Sequence, residues 1–132
     1  MKMILGLSFP QTDAASVAPV DDVGIDMTQF GGQSKSKSFL ATVTVTGGAS
    51  NVSVWGALAQ GAEEDATDDV WGLHQDPLGA IAPLGLLGTA LPVGTYHFMI
   101  DGLGLYSRVY FQKSANTVDV ILTEIHEAGR GN

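Results

Sequence analysis

The chain contains no cysteine, which excludes disulfides and thiolate metal sites and leaves the redox compartment unread. Cations are scarce: six Lys and Arg stand against 14 Asp and Glu, for a net charge of −8. A surface that binds duplex nucleic acid needs clustered cations to release counterions. Direct nucleic-acid binding is therefore not expected, and neither is adsorption to an anionic membrane. Charge of either sign is thin, at 15% of residues against 45% hydrophobic, which separates the chain from disordered sequences. No apolar run approaches the ~20 residues of a membrane-spanning helix. Catalytic signatures are missing as well. There is no GxSxG and no HExxH, and His74, His97 and His126 fall in three separate segments without ligand spacing. They read as packing or surface histidines, so no catalytic residue, metal or cofactor is assigned.

What the chain does have is alternation and glycine. Its 132 residues suit one domain, and its 17 glycines punctuate short runs of β-branched and aromatic residues. The stretch 94–112, GTYHFMIDGLGLYSRVYFQ, is the organising one. Tyr96, Phe98 and Ile100 share one face, and His97 and Met99 the other. Farther on, Val109 and Phe111 alternate with Arg108, Tyr110 and Gln112. Two half-buried strands around a Gly-rich hairpin connection, Asp101-Gly102-Leu103-Gly104, are expected. Residues 38–46 (SFLATVTVT) are the cleanest strand, with Phe39, Ala41, Val43 and Val45 opposed to Leu40, Thr42, Thr44 and Thr46. The GGASN turn leads to 52–58 (VSVWGAL), and these two strands are expected to pair antiparallel. Weaker strand candidates are 23–30 and 81–87; 118–125 (VDVILTEI) closes the set. Seven or eight strands with almost no helix predict an all-β chain, an antiparallel β-sandwich of jelly-roll-like or Ig-like type, its strand order open.

The expected organisation is an N-terminal arm over 1–19, a sandwich over 20–125 and a polar tail over 126–132. The opening MKMILGLSFP lacks the longer apolar stretch and small-residue cleavage site of a signal peptide, so 4–9 reads as a strand or a docking arm. An arm orders against a neighbour, whereas a strand pairs at an edge of its own sheet; the residues weigh these evenly. The apolar segment 76–91 (DPLGAIAPLGLLGTAL) is too broken by Pro and Gly for a helix. A loop of that kind needs something to pack on, either its own core or an adjacent subunit.

Three other features invite chemistry. Glu63, Glu64, Asp65, Asp68 and Asp69 carry oxygen ligands but not the spacing of a calcium loop, and a solvated acidic loop is the commoner outcome. Trp55 and Trp71 suit stacking on a sugar, but isolated Trp residues in strands more often plug a core or an interface. Arg108 is a rare cation in an aromatic strand. It is expected to stack on Tyr96 or Tyr110, to pair with Asp101 or Asp119, or to anchor a subunit interface.

The succession TVTVTGGASNVSVWG, an acidic loop before Val70-Trp71, Gly94-Thr95-Tyr96-His97-Phe98, Tyr106-Ser107-Arg108-Val109 and NTVDVILTEI resembles a group of small β-sandwich proteins of tailed-bacteriophage virions. The likeness covers roughly 38–125; segment 76–91, unusually apolar, departs from it. It implies a virion structural protein on the capsid surface, a decoration (cement) protein that binds the major capsid protein or other virion subunits. A homo-oligomer, with a trimer as one form, goes with that role. A tail or head-to-tail joining protein is the structural alternative, and a carbohydrate-binding module the alternative from another class. The contact residues expected on this reading are Ile4, Leu5, Leu7 and Phe9 in the arm, Leu78, Ile81, Leu84, Leu86 and Leu87 in the loop, and Arg108 and Tyr110.

Overall fold

The computed structural model describes residues 2–20, 23–30, 38–59, 69–76, 81 and 83–128. Nine strands occur among them: β1 (Lys2–Gln11), β2 (Ile25–Asp26), β3 (Phe39–Thr46), β4 (Ser50–Ala59), β5 (Asp69–Leu73), β6 (Leu86–Leu91), β7 (Gly94–Ile100), β8 (Arg108–Lys113) and β9 (Thr117–Ala128). They form two antiparallel sheets packed as a sandwich. One has the order β1-β9-β3-β7, the other β2-β8-β4-β5 with β6 also on β4. The period-2 pattern sets the faces as read from the sequence. Phe39, Ala41, Val43 and Val45 of β3 and Val118, Val120 and Leu122 of β9 are buried against Val52, Val54, Val109 and Phe111 of the opposite sheet. An edge-to-face row Phe9–Phe30–Phe39, with centroids 4.9 and 5.0 Å apart, closes one flank of that core.

Two expected pairings are replaced. β3 pairs with β7 and β9, while β4 pairs with β5, β6 and β8, so residues 47–49 cross between sheets instead of turning a hairpin. The same holds for β7 and β8, expected as one ribbon: β7 lies beside β3, and β8 lies beside β4 and β2. The Gly-rich connection contains a 3-10 turn, Leu103–Leu105, whose Leu103 is fully buried. A buried leucine in the bend pulls the chain through the core layer, where a hairpin would keep it in one sheet. At the first crossing, a Cβ on Gly48 would lie 2.8 Å from Asn116 Nδ2. Asn116 Nδ2 also donates to the Ala49 carbonyl at 2.7 Å, so the glycine lets two bends of the chain clasp.

Of the two readings of residues 4–9, the edge strand is the one observed. β1 pairs along β9 from Lys2↔Ala128 to Gln11↔Val120, with a bulge between Leu5 and Ser8. β9 correspondingly runs on to Ala128, past the expected start of the tail at His126. Segment 23–30 is a two-residue strand followed by a 3-10 turn, Met27–Phe30. β2 is so short because other groups satisfy the rest of the β8 edge. The Gln11 amide donates to the Phe111 carbonyl and accepts from the Phe111 N–H, both at 2.8 Å, and the Ala15 carbonyl takes the Lys113 N–H at 3.0 Å. The strand expected within 81–87 is displaced to β6, after a bend at Leu84 and Gly85 with φ of 66° and 67°.

Candidate functional site

The expected contact residues divide by burial. Leu5, Leu7 and Leu84 are exposed on the surface, and Leu86 is half-buried. Ile4 pairs with His126 in the β1–β9 ladder. Phe9 packs on Phe30, Leu87 packs against the core, and Ile81 belongs to it. Tyr110 is only 5% exposed because residues 16–20 lie over it. Its hydroxyl donates to the Val17 carbonyl at 2.9 Å, and Gln112 Nε2 donates to Ser16 O at 3.1 Å. Ile81 and Tyr110 are thus occupied within the domain. Leu78 lies outside the described residues, as do Glu63 to Asp68 of the acidic segment.

Two of the partners expected for Arg108 lie in the other sheet. Asp119 and Tyr96 belong to the opposite sheet; Arg108 sits across from Asp26 in the β2–β8 ladder and donates to the Val23 carbonyl at 3.3 Å. Both tryptophan N–H groups are engaged internally, Trp55 to Gln112 Oε1 at 2.9 Å and Trp71 to Val20 O at 3.0 Å. Trp71 meets Tyr110 edge-on, with centroids 5.9 Å apart. Trp71, Tyr110 and Gln112 therefore pin the 16–20 segment onto the outer face of the second sheet.

A buried polar cluster around His74 was not read from the sequence. His74, 3% exposed, follows β5 and is held by three elements. Its Nδ1 lies 2.7 Å from the Tyr106 hydroxyl and its Nε2 lies 2.8 Å from the Asp101 carbonyl. A carbonyl only accepts, so Nε2 carries the proton and Nδ1 accepts the tyrosine O–H. The backbone N–H of His74 donates to Val54 O at 3.0 Å. Around the ring, the Asp101 N–H donates to Asp76 Oδ2 at 3.4 Å, and the Ser38 hydroxyl donates to the Asp101 carboxylate. Burial pushes the imidazole below its usual pKa; the hydrogen bond with the Asp101 carbonyl and the charges of Asp76 and Asp101 work the other way. Burial also raises the Tyr106 hydroxyl. A neutral imidazole with both nitrogens engaged, beside a phenol that resists ionisation, fastens the segments around it together. Only its dense polar satisfaction sets His74 apart, and three histidines without ligand spacing in the sequence gave no signal of it.

Two concavities lined by described residues are shallow. One of ~230 Å³ is lined by Gly56, Leu58, Val70, Gly72, Leu73 and the Tyr106 ring, whose hydroxyl points to His74. Another, of ~270 Å³, lies by Asn51, Ser53, Gln112 and Ser114. Gln112 there is already bonded to Trp55 and Ser16, and the Asn51 side chain to the Ala90 N–H. No group of three or more His, Asp and Glu suited to a metal ion occurs among the described residues.

The broad surface of a different kind is the outer face of the β1-β9-β3-β7 sheet. Three of its rows read Ser8–Thr123–Leu40–Met99, Pro10–Ile121–Thr42–His97 and Asp119–Thr44–Thr95. Asp119 is the only charged residue in these rows, and its carboxylate takes the Asp13 N–H at 2.7 Å. Met99 and Ile121 are 47% and 46% exposed on it. Thr42 meets His97 Nδ1 at 3.1 Å and Thr44 meets Thr95 at 3.3 Å, so its hydroxyls are laddered across strands. Comparison of the chain with known families, with curated proteins and with solved structures finds no match in any of the three.

Proposed function

We propose that the protein is a structural subunit that works by adhesion, as a decoration protein on the capsid lattice of a bacteriophage. The observation that supports adhesion is the outer face of the β1-β9-β3-β7 sheet. In a chain of net charge −8 the three rows given above present threonines, Met99 and Ile121, with Asp119 as their one carboxylate. Desolvating such a face costs little, and its apolar part contributes ~25 cal/mol per Å² buried, of which only the surplus over ordering costs appears as affinity. Leu5 and Leu7, exposed on β1 at the margin of the same sheet, extend it. The capsid as partner rests on the resemblance of residues 38–125 to virion sandwich proteins.

The test is occupancy. The recombinant chain is mixed with heads assembled from the major capsid protein encoded in the same genome and sedimented through a gradient. Lattice-wide saturation, reduced in a Leu5→Ser/Leu7→Ser variant, is expected. A small fixed copy number would assign the joining role instead, and failure to co-sediment would end the capsid reading.

A further inference from the structure

Open sheets leave edges, and most edges of this sandwich are guarded. β1 carries Lys2, a bulge and Pro10; β2 has two residues; β5 has five and starts with Asp69; β6 pairs irregularly and bends at Ala90, φ 50°. Short length, charge, proline and bulges are the devices that keep edges from recruiting another strand. β7 (GTYHFMI) has none of them. Among the described residues it is the last strand of its sheet, seven residues long, with no proline, no Asp, Glu, Lys or Arg, and an unbroken register on β3 from Gly94 to Ile100.

Its core-facing side is also incomplete. Tyr96 and Phe98 lie opposite the fully buried Val43 and Ala41, yet both are only half-buried. Their rings are stacked, with centroids 6.4 Å apart and planes 27° apart, and the Tyr96 hydroxyl is bonded to the Pro92 carbonyl at 2.7 Å. An apolar aromatic shelf therefore stands at the open side of the sandwich.

We propose that β7 pairs antiparallel with the β7 of a second copy of this chain, about a two-fold axis at His97, joining the two sheets into one. Centring on His97 keeps all seven residues paired over about 24 Å. Each Tyr96 then faces Phe98 of the other copy, Thr95 faces Met99, and the two shelves cover each other. The occupant is a second copy because the edge is self-complementary, aromatic to aromatic. It is also free of formal charge in a molecule of net charge −8, so two like-charged copies approach there with least repulsion.

The inference is independent of the capsid reading: a dimer that binds no capsid keeps this one and sinks the other. The experiment is sedimentation equilibrium of the full chain from micromolar to hundreds of micromolar concentration. The wild type is expected to dimerise. His97 is exposed, so His97→Lys and His97→Glu should leave the fold intact by circular dichroism. Each sets like charges across the axis and weakens the dimer by about tenfold or more; an equimolar mixture restores association. If either variant fails to fold, Thr95→Lys, set against Met99 of the second copy, is measured instead, with the same weakening expected. A wild type that stays monomeric, a dimer indifferent to these charges, or a mixture that does not recover association would overturn the proposal.

Discussion

Replacing Tyr106 with Phe tests whether the His74 cluster is a structural fastener. The substitution removes one oxygen and leaves the ring against Gly56, where a Cβ would come within 2.4 Å of it. Packing is thus conserved and the loss is confined to the 2.7 Å hydrogen bond to His74 Nδ1. That nitrogen sits in a residue 3% exposed, and its other ring nitrogen is committed to the Asp101 carbonyl. No second donor to Nδ1 occurs among the described residues, so the cost is that of a buried unsatisfied acceptor, about 1–3 kcal/mol. For a domain of this size, with a urea m-value of about 1–3 kcal/mol/M, the unfolding midpoint should fall by roughly 1 M with m unchanged. Urea unfolding at pH 8, followed by tryptophan fluorescence, measures it. A midpoint within error of the wild type would mean that water or another group replaces the tyrosine. The cluster would then not be the closed, dry junction described above.

Two further outcomes follow from the same region. His74 has its folded pKa depressed by burial, so the unfolded chain takes up a proton first as pH falls. Its contribution is therefore full above the unfolded value of about 6.5 and is lost below it down to the folded pKa, at up to ~1.4 kcal/mol per pH unit. Urea midpoints measured from pH 8 to 5 should show this slope, and His74→Gln should remove that part of it. Gly56→Ala drives a methyl into the Tyr106 ring and should cost about 1–3 kcal/mol by overpacking, with less than additive loss when combined with Tyr106→Phe. A double-mutant cycle in urea checks both, and strict additivity would separate the ring's position from its hydroxyl.

How far the sequence went can be told from particular strands. In β3, the alternation of Phe39, Ala41, Val43 and Val45 with Leu40 and threonines named the buried face residue by residue, and the all-β class followed. The alternation in β7 likewise grouped Tyr96, Phe98 and Ile100 on one face, the one the structure turns toward the core. Period-2 patterning reports which way a side chain points, and that is decided by residues two apart on one strand. It is silent on which strand lies alongside, because a hairpin and a crossing between sheets bury the same alternate positions.

The all-β class, the faces of its main strands and the scarcity of positive charge were therefore determined by sequence alone. Only the tertiary structure decided that β3 and β4, and β7 and β8, part into different sheets, because the clasp of Gly48 with Asn116 and the burial of Leu103 depend on residues distant in the chain or on depth in the core. It also decided the junction of His74 with Tyr106 and Asp101, which are 32 and 27 positions away, and the exposure of the β7 edge. A hydrogen bond between distant segments has no local pattern to announce it, and a strand's edge is defined by the neighbour it does not have.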